Sequence, residues 1–257
     1  PLAALRATWE AAYGPGSVIG LAPSAAAAEV LGTALGIPAD NTTKWLVEHV
    51  AEPARHARLA RARAALPRAT SREAAREIAA HLHRLTHALN RWSFHPGQLV
   101  IIDEASLAGT ADLDRITATA TEAGAKVLLV GDWAQLSAID AGGAFGLLVR
   151  DRGAGVPELG AARRFQHAWE RTAAGLLRVG DPEALRYYDH HGRIADGDHD
   201  AMVEAAYSAW AADEQAGKTS LLLAGDTDTV RALNARAHTE LVTTGRVTPT
   251  GTRLHDG

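Results

Sequence analysis

Four short and mostly apolar runs are spaced along the chain, at 18–22, 98–102, 126–130 and 220–224. Their apolar residues stand at consecutive rather than alternate positions, which predicts strands that are covered on both faces. Parallel sheets bury their strands in this way because helices lie against both sides. The runs therefore predict buried strands of parallel sheets in both halves of the chain.

Helical patterns lie between these runs. Leu2, Leu5 and Trp9 have the i, i+3, i+7 spacing of one helix face. Another helix is predicted from Ala25 to Leu35, because Ser24 suits a helix N-cap and a glycine follows the last apolar residue. Further helices are predicted at 45–91 with a break near Pro67, and at 111–123, 166–179, 200–212 and 227–241. Strands that alternate with helices predict the α/β class, a parallel sheet with flanking helices.

Glycine-rich segments near the middle of the chain indicate a domain boundary. Gly142-Gly143 is the first of them, and Gly153-Ala-Gly-Val-Pro157 is the second. Such residues punctuate regular structure and are typical of loops. The predicted organisation is a first domain at 1–152 and a second at 158–257.

The composition is that of an ordinary water-soluble domain. Of 257 residues, 47% are hydrophobic and 22% are charged, which excludes an intrinsically disordered chain. No run of about 18 apolar residues occurs, so no membrane segment is predicted. Cysteine is absent, which excludes disulfides and thiolate chemistry and agrees with a cytoplasmic location. The net charge of −4 provides no general attraction for nucleic acid, so DNA binding would need a local groove.

Arginine is concentrated between residues 45 and 91. Arg55 and Arg58 share one helix face, and Arg72 and Arg76 share another. The other arginines of this segment are Arg61, Arg63, Arg68, Arg84 and Arg91. Two interpretations stay open, a solvated helix surface or a stripe that contacts phosphates.

The strongest chemical signal is the acidic pair Asp103-Glu104 directly after the apolar residues 99–102. A buried strand that ends in two carboxylates is the Walker B pattern of nucleotide hydrolases. Ligands of open α/β sheets bind beyond the carboxyl ends of the strands, where the first carboxylate can hold Mg²⁺ and the second can deprotonate water. The alternative is that Asp103 caps a helix that follows the strand.

A second strand end carries polar residues 27 positions further on. The apolar run 127–130 leads into Gly131-Asp132-Trp133-Ala-Gln135. Glycine allows a tight turn here, and Gln135 could sense a γ-phosphate through its amide. The alternative for Gln135 is an ordinary polar loop residue.

With these segments in order, the chain resembles the superfamily 1 helicases. Residues 18–24 are similar to motif Ia, 103–106 to motif II, 131–136 to motif III and 159–165 to motif IV. Within that superfamily, the chain looks most like the RecD-like helicase region of conjugative relaxases, the MobF class (TrwC/TraI-like). That likeness lies in segments 103–108, 131–145 and 233–237. The resemblance covers essentially the whole chain and implies a RecA-like P-loop NTPase fold with two incomplete RecA-like domains.

The resemblance also implies an ATP-dependent motor that tracks single-stranded DNA from 5′ to 3′. Asp103 would hold Mg²⁺ through water, Glu104 would activate the attacking water, and Gln135 would couple the γ-phosphate to the DNA groove. Arg164 would be the arginine finger, in preference to Arg163, because it directly precedes the aromatic residue.

The same resemblance places DNA contacts at three residues. Pro23 and Ser24 would lie against the DNA backbone, and Trp133 would offer a surface for stacking. The expected partners are single-stranded DNA and the other domains of the same full-length chain.

One part of the family pattern is missing. A phosphate-cradling GxxxxGK[ST] loop is expected before Leu2, and the sequence does not contain it there. Gly217-Lys218-Thr219 carries the letters GKT, but an acidic segment precedes it and an apolar run follows it where a helix is needed to hold phosphate. We interpret 217–219 as an ordinary loop and expect the sequence to be a piece, truncated at both ends, of a longer protein.

The sequence therefore predicts the ATP-dependent helicase motor of a conjugative relaxase, with ATP and Mg²⁺ as ligands in the intact protein. Two alternatives remain, a RecD-like repair helicase and a non-catalytic DNA-binding fragment. Because the phosphate loop supplies the lysine and the N–H groups that hold the β- and γ-phosphates, we expect no ATP hydrolysis by these residues alone.

Overall fold

A sheet of four parallel strands forms the centre of the first half of the chain in the computed structural model, which describes residues 1–135, 142–159 and 165–248. The order across the sheet is β2-β1-β3-β4. The strands are β1 (Val18–Ala22), β2 (Ala39–Asn41), β3 (Leu99–Ile102) and β4 (Lys126–Leu129). All three strand pairs are parallel, which confirms the predicted α/β class.

Seven helices surround this sheet in the described part of the first half. They are α1 (Leu2–Tyr13), α2 (Ala25–Leu35), α3 (Thr42–Val50), α4 (Glu52–Ala65), α5 (Arg72–Trp92), α6 (Thr110–Glu122) and α7 (Ala144–Arg152). Three 3₁₀ turns accompany them, at Leu66–Arg68, Ala105–Leu107 and Gly153–Gly155. A sheet with helices on both faces is the RecA-like P-loop NTPase architecture that the sequence predicts.

The central strand β3 contributes to a hydrophobic core on each face of the sheet, because successive strand residues point to opposite faces. Val100 and Ile102 belong to the core that contains Trp45 of α3 and Ile116 of α6. Leu99 and Ile101 belong to a second core, which contains Leu31 and Leu35 of α2 and is covered by Leu2, Leu5 and Trp9 of α1. All four β3 residues are buried, as the consecutive apolar pattern predicts.

Helix α2 shows how local sequence sets the edge of the sheet. The hydroxyl of Ser24 accepts a hydrogen bond from the N–H of Ala27 at 3.1 Å, as an N-cap does. At the other end, Gly36 has φ of 59°, the left-handed conformation in which glycine carries no steric penalty. The predicted bounds of this helix are confirmed. The Ser24 cap also fixes how the chain leaves β1.

The second half of the chain forms a separate unit. The first unit contains Pro1–Phe165 and Arg178–Gly180, and the second contains Gln166–Leu177 and Asp181–Gly257. The helices here are α8 (Ala168–Arg178), α9 (Glu183–His190), α10 (His199–Gln215) and α11 (Thr227–Thr243). The helices expected near 166–179, 200–212 and 227–241 are present. Helix α9 was not predicted from the sequence.

The prediction of a strand at 220–224 was wrong. Leu221 and Leu223 are 81% and 79% exposed, and the segment has no regular structure. A strand needs a neighbour to pair with, and no strand of the second unit lies among its described residues. Ser220, Leu222 and Ala224 are partly buried and alternate with the exposed leucines, so the segment is covered on one side alone.

Within the described ranges, no helix combines the length and the apolar character that crossing a membrane requires.

Candidate functional site

The ends of β3 and β4 lie side by side at the carboxyl edge of the sheet. Ile102 is in register with Leu21 of β1 and with Leu129 of β4. The ladder continues past the strands, because the N–H of Asp103 donates to the Leu21 carbonyl at 2.9 Å. The N–H of Val130 donates to the Ile102 carbonyl at 2.8 Å. This edge therefore brings together the residues that follow β1, β3 and β4.

The acidic pair occupies the centre of that edge. The Asp103 carboxylate accepts a hydrogen bond from the N–H of Glu104 at 3.0 Å, and both residues are partly buried. No Lys, Arg or His pairs with either carboxylate among the described residues. Two neighbouring carboxylates without a cation form a donor set that fits a hard divalent cation such as Mg²⁺. The geometry does not support Asp103 as a helix cap, since the 3₁₀ turn that follows begins after Glu104 and has no side-chain cap.

Glu104 has an unusual backbone conformation. Its φ is 51° and its ψ is 38°, the left-handed region, and it is the one non-glycine residue with positive φ in the described part of the chain. For a residue with a Cβ atom, this conformation costs on the order of 1–2 kcal/mol. Such strain persists where surrounding structure enforces it and is common at functional sites. No pattern along the chain predicts this backbone conformation.

Gly131 allows the two loops to approach each other. A Cβ atom on this residue would lie 3.1 Å from the backbone nitrogens of Ala105 and Ser106. The N–H of Ala105 also donates to the Val130 carbonyl at 2.8 Å, so the turn after Glu104 is fixed against the end of β4. Beside this contact, the buried Ser106 hydroxyl has no hydrogen-bond partner among the residues that the structure describes. The loop that carries Gln135 is therefore held next to the acidic pair by backbone contacts.

Asp132 organises the second loop. Its carboxylate accepts hydrogen bonds from the N–H of Ala134 at 3.1 Å and from Arg178 Nε at 3.1 Å. The exposed Gln135 amide lies 3.5 Å from the same carboxylate. Partial burial raises the pKa of Asp132, but the hydrogen bonds and the charge of Arg178 outweigh it and leave the pKa below the usual aspartate value. Asp132 therefore stays ionised and holds the loop.

Arg178 is a site residue that the sequence analysis did not predict. It belongs to the first unit, also binds Glu158 at 2.8 Å, and its guanidinium lies 5.2 Å from the centre of the Trp133 ring. The hydrogen bonds that Arg178 donates to Asp132 and then to Glu158 raise the pKa of Arg178, despite partial desolvation. Trp133 remains 48% exposed. Because Arg178 is 46 residues from Asp132 and lies in none of the motifs, no local signal identifies it.

The remaining predicted site residues have different outcomes. Pro23 and Ser24 follow β1 at the same sheet edge, where the Pro23 carbonyl accepts a hydrogen bond from Asn41 Nδ2 at 2.7 Å and Ser24 caps α2. Arg163 and Arg164 lie outside the described residues. The structure therefore gathers Asp103, Glu104, Gln135, Pro23, Ser24 and Trp133 on the loops that follow three neighbouring strands.

The GKT segment has the structure of a loop. Lys218 forms an ion pair with Asp213 at 2.8 Å, and Gly217 ends the turn that follows α10. A segment without regular structure follows instead of a helix, so no helix N-terminus is available there to bind phosphate. This geometry agrees with the interpretation of 217–219 as an ordinary loop.

A parallel sheet whose central strand ends in an acidic pair defines a protein of the P-loop NTPase class. The model of the AAA domain family matches residues 1–199, and the chain belongs to this family. The chain is 37% identical over 149 residues to "Conjugal transfer protein TraA" of Agrobacterium fabrum (strain C58), which is 57% of this chain and 13% of that protein. It is 38% identical over 151 residues to the protein of the same name from Rhizobium radiobacter, 58% of this chain and 14% of that protein.

A "Probable conjugal transfer protein TraA" of Sinorhizobium fredii is 34% identical over 151 residues, again 58% of this chain and 14% of that protein. The chain thus matches only about one seventh of the length of these curated relatives. No solved structure matches it.

Proposed function

We propose that this chain is part of the ATPase motor of a conjugal DNA-transfer protein, one that couples ATP hydrolysis to movement along single-stranded DNA. The observation that carries the proposal is the unpaired, partly buried pair Asp103-Glu104 at the end of the central strand, with Glu104 held in a left-handed conformation. Membership of the AAA domain family and the names of the relatives support it. A RecD-like repair helicase is the alternative, and the relatives' names favour conjugation over it.

In this proposal the two carboxylates have separate roles. Asp103 would hold Mg²⁺, which would supply positive charge to the phosphates of ATP. The Asp103 carboxylate already accepts the N–H of Glu104, which fixes the orientation of one oxygen. Glu104 accepts the proton of the attacking water at its carboxylate.

The loop after β4 completes the arrangement. Gln135 is positioned through Asp132 and reports the state of the γ-phosphate to the DNA-contacting residues Pro23, Ser24 and Trp133. Arg164 serves as the arginine finger in the proposal and stabilises negative charge on the transferred phosphoryl group. The 257 residues include no GxxxxGK[ST] sequence, so the activity is assigned to the longer protein, and this chain alone is expected to bind DNA without hydrolysing ATP.

The test is Glu104→Gln in the full-length transfer protein, measured as DNA-stimulated ATP turnover. Loss of a general base lowers turnover by about 10²–10⁴-fold. Glu122→Gln is the matched control, because it removes the same charge from the exposed end of α6 in the same unit. Turnover of the Glu104→Gln protein equal to that of the Glu122→Gln control would refute the role of Glu104 and with it the proposed function.

A further inference from the structure

Positive charge is concentrated in the helical hairpin of α4 and α5, residues 52–92, which we call the arginine hairpin. It contains nine arginines and three glutamates but no lysine or aspartate, a formal charge of +6. Since the whole chain carries −4, the residues outside the hairpin carry −10. A basic element in an otherwise acidic chain is typical of a surface that binds a polyanion.

Most of these arginines have no ion-pair partner among the described residues, although Arg61 Nε donates a hydrogen bond to the Ala57 carbonyl at 3.3 Å. Arg55 pairs with Glu48, and Arg91 pairs with Asp40. Seven others are exposed, and no carboxylate of the described residues pairs with them: Arg58, Arg61, Arg63, Arg68, Arg72, Arg76 and Arg84. A solvated surface in a stable helix usually balances its charges with neighbours three or four positions away. The arginine hairpin lacks that balance.

Three of the free arginines converge on one groove. The groove lies between α4 and α5, with a volume of about 750 Å³, and is open to solvent. Arg58 and Arg61 line it from α4, and Arg84 lines it from α5. Glu77 is the one carboxylate in its lining, and the other lining residues are three alanines, Ile78 and His81. Leu59, Leu85 and Leu89 pack together between the helices and hold the two walls in place.

We propose that this groove binds the phosphate backbone of duplex DNA through Arg58, Arg61 and Arg84. The inference rests on the proposed function, since a motor that moves along one strand has duplex ahead of it. Guanidinium groups bind phosphate oxygens through paired hydrogen bonds, and the alanines leave room for the backbone to approach. The lining contains no tryptophan, tyrosine or phenylalanine, so the ring of His81 is its one surface for stacking the bases of a single strand, and contacts to phosphates dominate. Binding is therefore independent of base sequence.

The experiment measures binding of the 257-residue chain to a fluorescent 20-base-pair duplex and to one of its single strands, without nucleotide, at several salt concentrations. Each phosphate contact contributes about 0.9 to the slope of log K against log salt for duplex DNA. Replacing all three groove arginines by glutamine should therefore reduce that slope by about 2.7 and lower the affinity at 0.1 M salt by about two to three orders of magnitude.

The matched control removes the same charge elsewhere. Arg115, Arg150 and Arg193 are exposed and lie outside the arginine hairpin, and their triple glutamine variant should leave the slope unchanged. Ala80→Glu places a negative charge on the groove wall without removing any arginine, so it tests the site if the triple variant is unstable. Circular dichroism melting curves establish that each variant is folded.

Several outcomes would overturn the inference. One is an equal loss of duplex binding in the groove and control variants. Another is a loss that occurs with the single strand alone, which would assign the groove to single-stranded DNA. Binding of polyglutamate but not duplex, abolished by the same variants, would assign it to an acidic protein segment. Glu104→Gln should bind duplex as the unmodified chain does, so failure of the ATPase test and failure of this one are distinguishable.

Discussion

The close contact at Gly131 predicts that the smallest possible side chain is harmful there. In Gly131→Ala, the new Cβ atom would lie 3.1 Å from the nitrogens of Ala105 and Ser106 and 3.4 Å from the ring of Phe145. These neighbours cannot easily move, because the N–H of Ala105 is bonded to Val130 at 2.8 Å and Phe145 is buried. The substitution should therefore push the loop of Gln135 away from the turn that follows Glu104.

The magnitude follows from two opposing effects. Overpacking in a tight site costs about 1–3 kcal/mol, whereas replacing glycine restricts the unfolded chain and stabilises by about 0.4–1 kcal/mol. The φ of Gly131 is not positive, so alanine adds no backbone strain. The net expectation is a loss of about 1–2 kcal/mol in the free energy of unfolding. For a chain of this size that is a fall of about 2–8 °C in melting temperature.

The assay is urea denaturation of the purified chain followed by far-ultraviolet circular dichroism. Gly146→Ala is the matched control, because Gly146 lies inside α7 and the nearest obstacle is the flexible end of Arg150 at 3.6 Å. In a helix interior, alanine is more stable than glycine by about 0.5–1 kcal/mol. The two variants should move in opposite directions. A Gly131→Ala chain as stable as Gly146→Ala would refute the packing of the two loops.

The ion pair of Asp132 and the cap of Ser24 make two further predictions. Arg178→Gln should raise the lowered pKa of the Asp132 carboxyl toward the ordinary aspartate value, because it removes the hydrogen bond and the charge of Arg178, and carbon-13 NMR titration measures this change. A carboxyl whose pKa is lower in the folded state contributes its full stabilisation above its unfolded-state pKa and loses it as the pH falls through the folded-state pKa. The difference in unfolding free energy between the original chain and Arg178→Gln should therefore be full at neutral pH and shrink below about pH 4. A difference that does not change with pH would contradict the ion pair of Asp132 and Arg178. Ser24→Ala should lower the free energy of unfolding by about 1 kcal/mol, and Ser24→Asn should restore it. No loss in Ser24→Ala would show that the hydroxyl does not cap α2.

Much of the first unit could be predicted from the sequence because its strands are apolar and its helix ends are marked. The bounds of β1 and α2 agree with the predicted 18–22 and 25–35. Strand β2 escaped prediction because Ala39-Asp-Asn41 has no apolar run, and its pairing with β1 alone makes it a strand. The run at 220–224 has the opposite property, since it is apolar but has no described partner strand.

The candidate site was predictable in position but not in detail. Strand ends locate Asp103 and Gln135, because carboxyl ends of parallel strands meet at one edge. Contacts between distant segments leave no such mark, so Arg178 and its bond to Asp132 emerged only from the fold. The hydrogen bond that the N–H of Glu104 donates to the Asp103 carboxylate, and the positive φ of Glu104, likewise emerged only from the fold.

With Glu104 as the proposed general base, its left-handed backbone means that selection for folding and selection for activity would favour different residues at position 104. Glycine, or to a lesser degree asparagine, would adopt a φ of 51° with less steric penalty than glutamate. A lineage under pressure for stability alone would gain by losing the carboxylate. Position 104 is therefore a place where the protein has a lower free energy of unfolding than it could have. A substitution there that stabilises the fold would also remove the proposed general base.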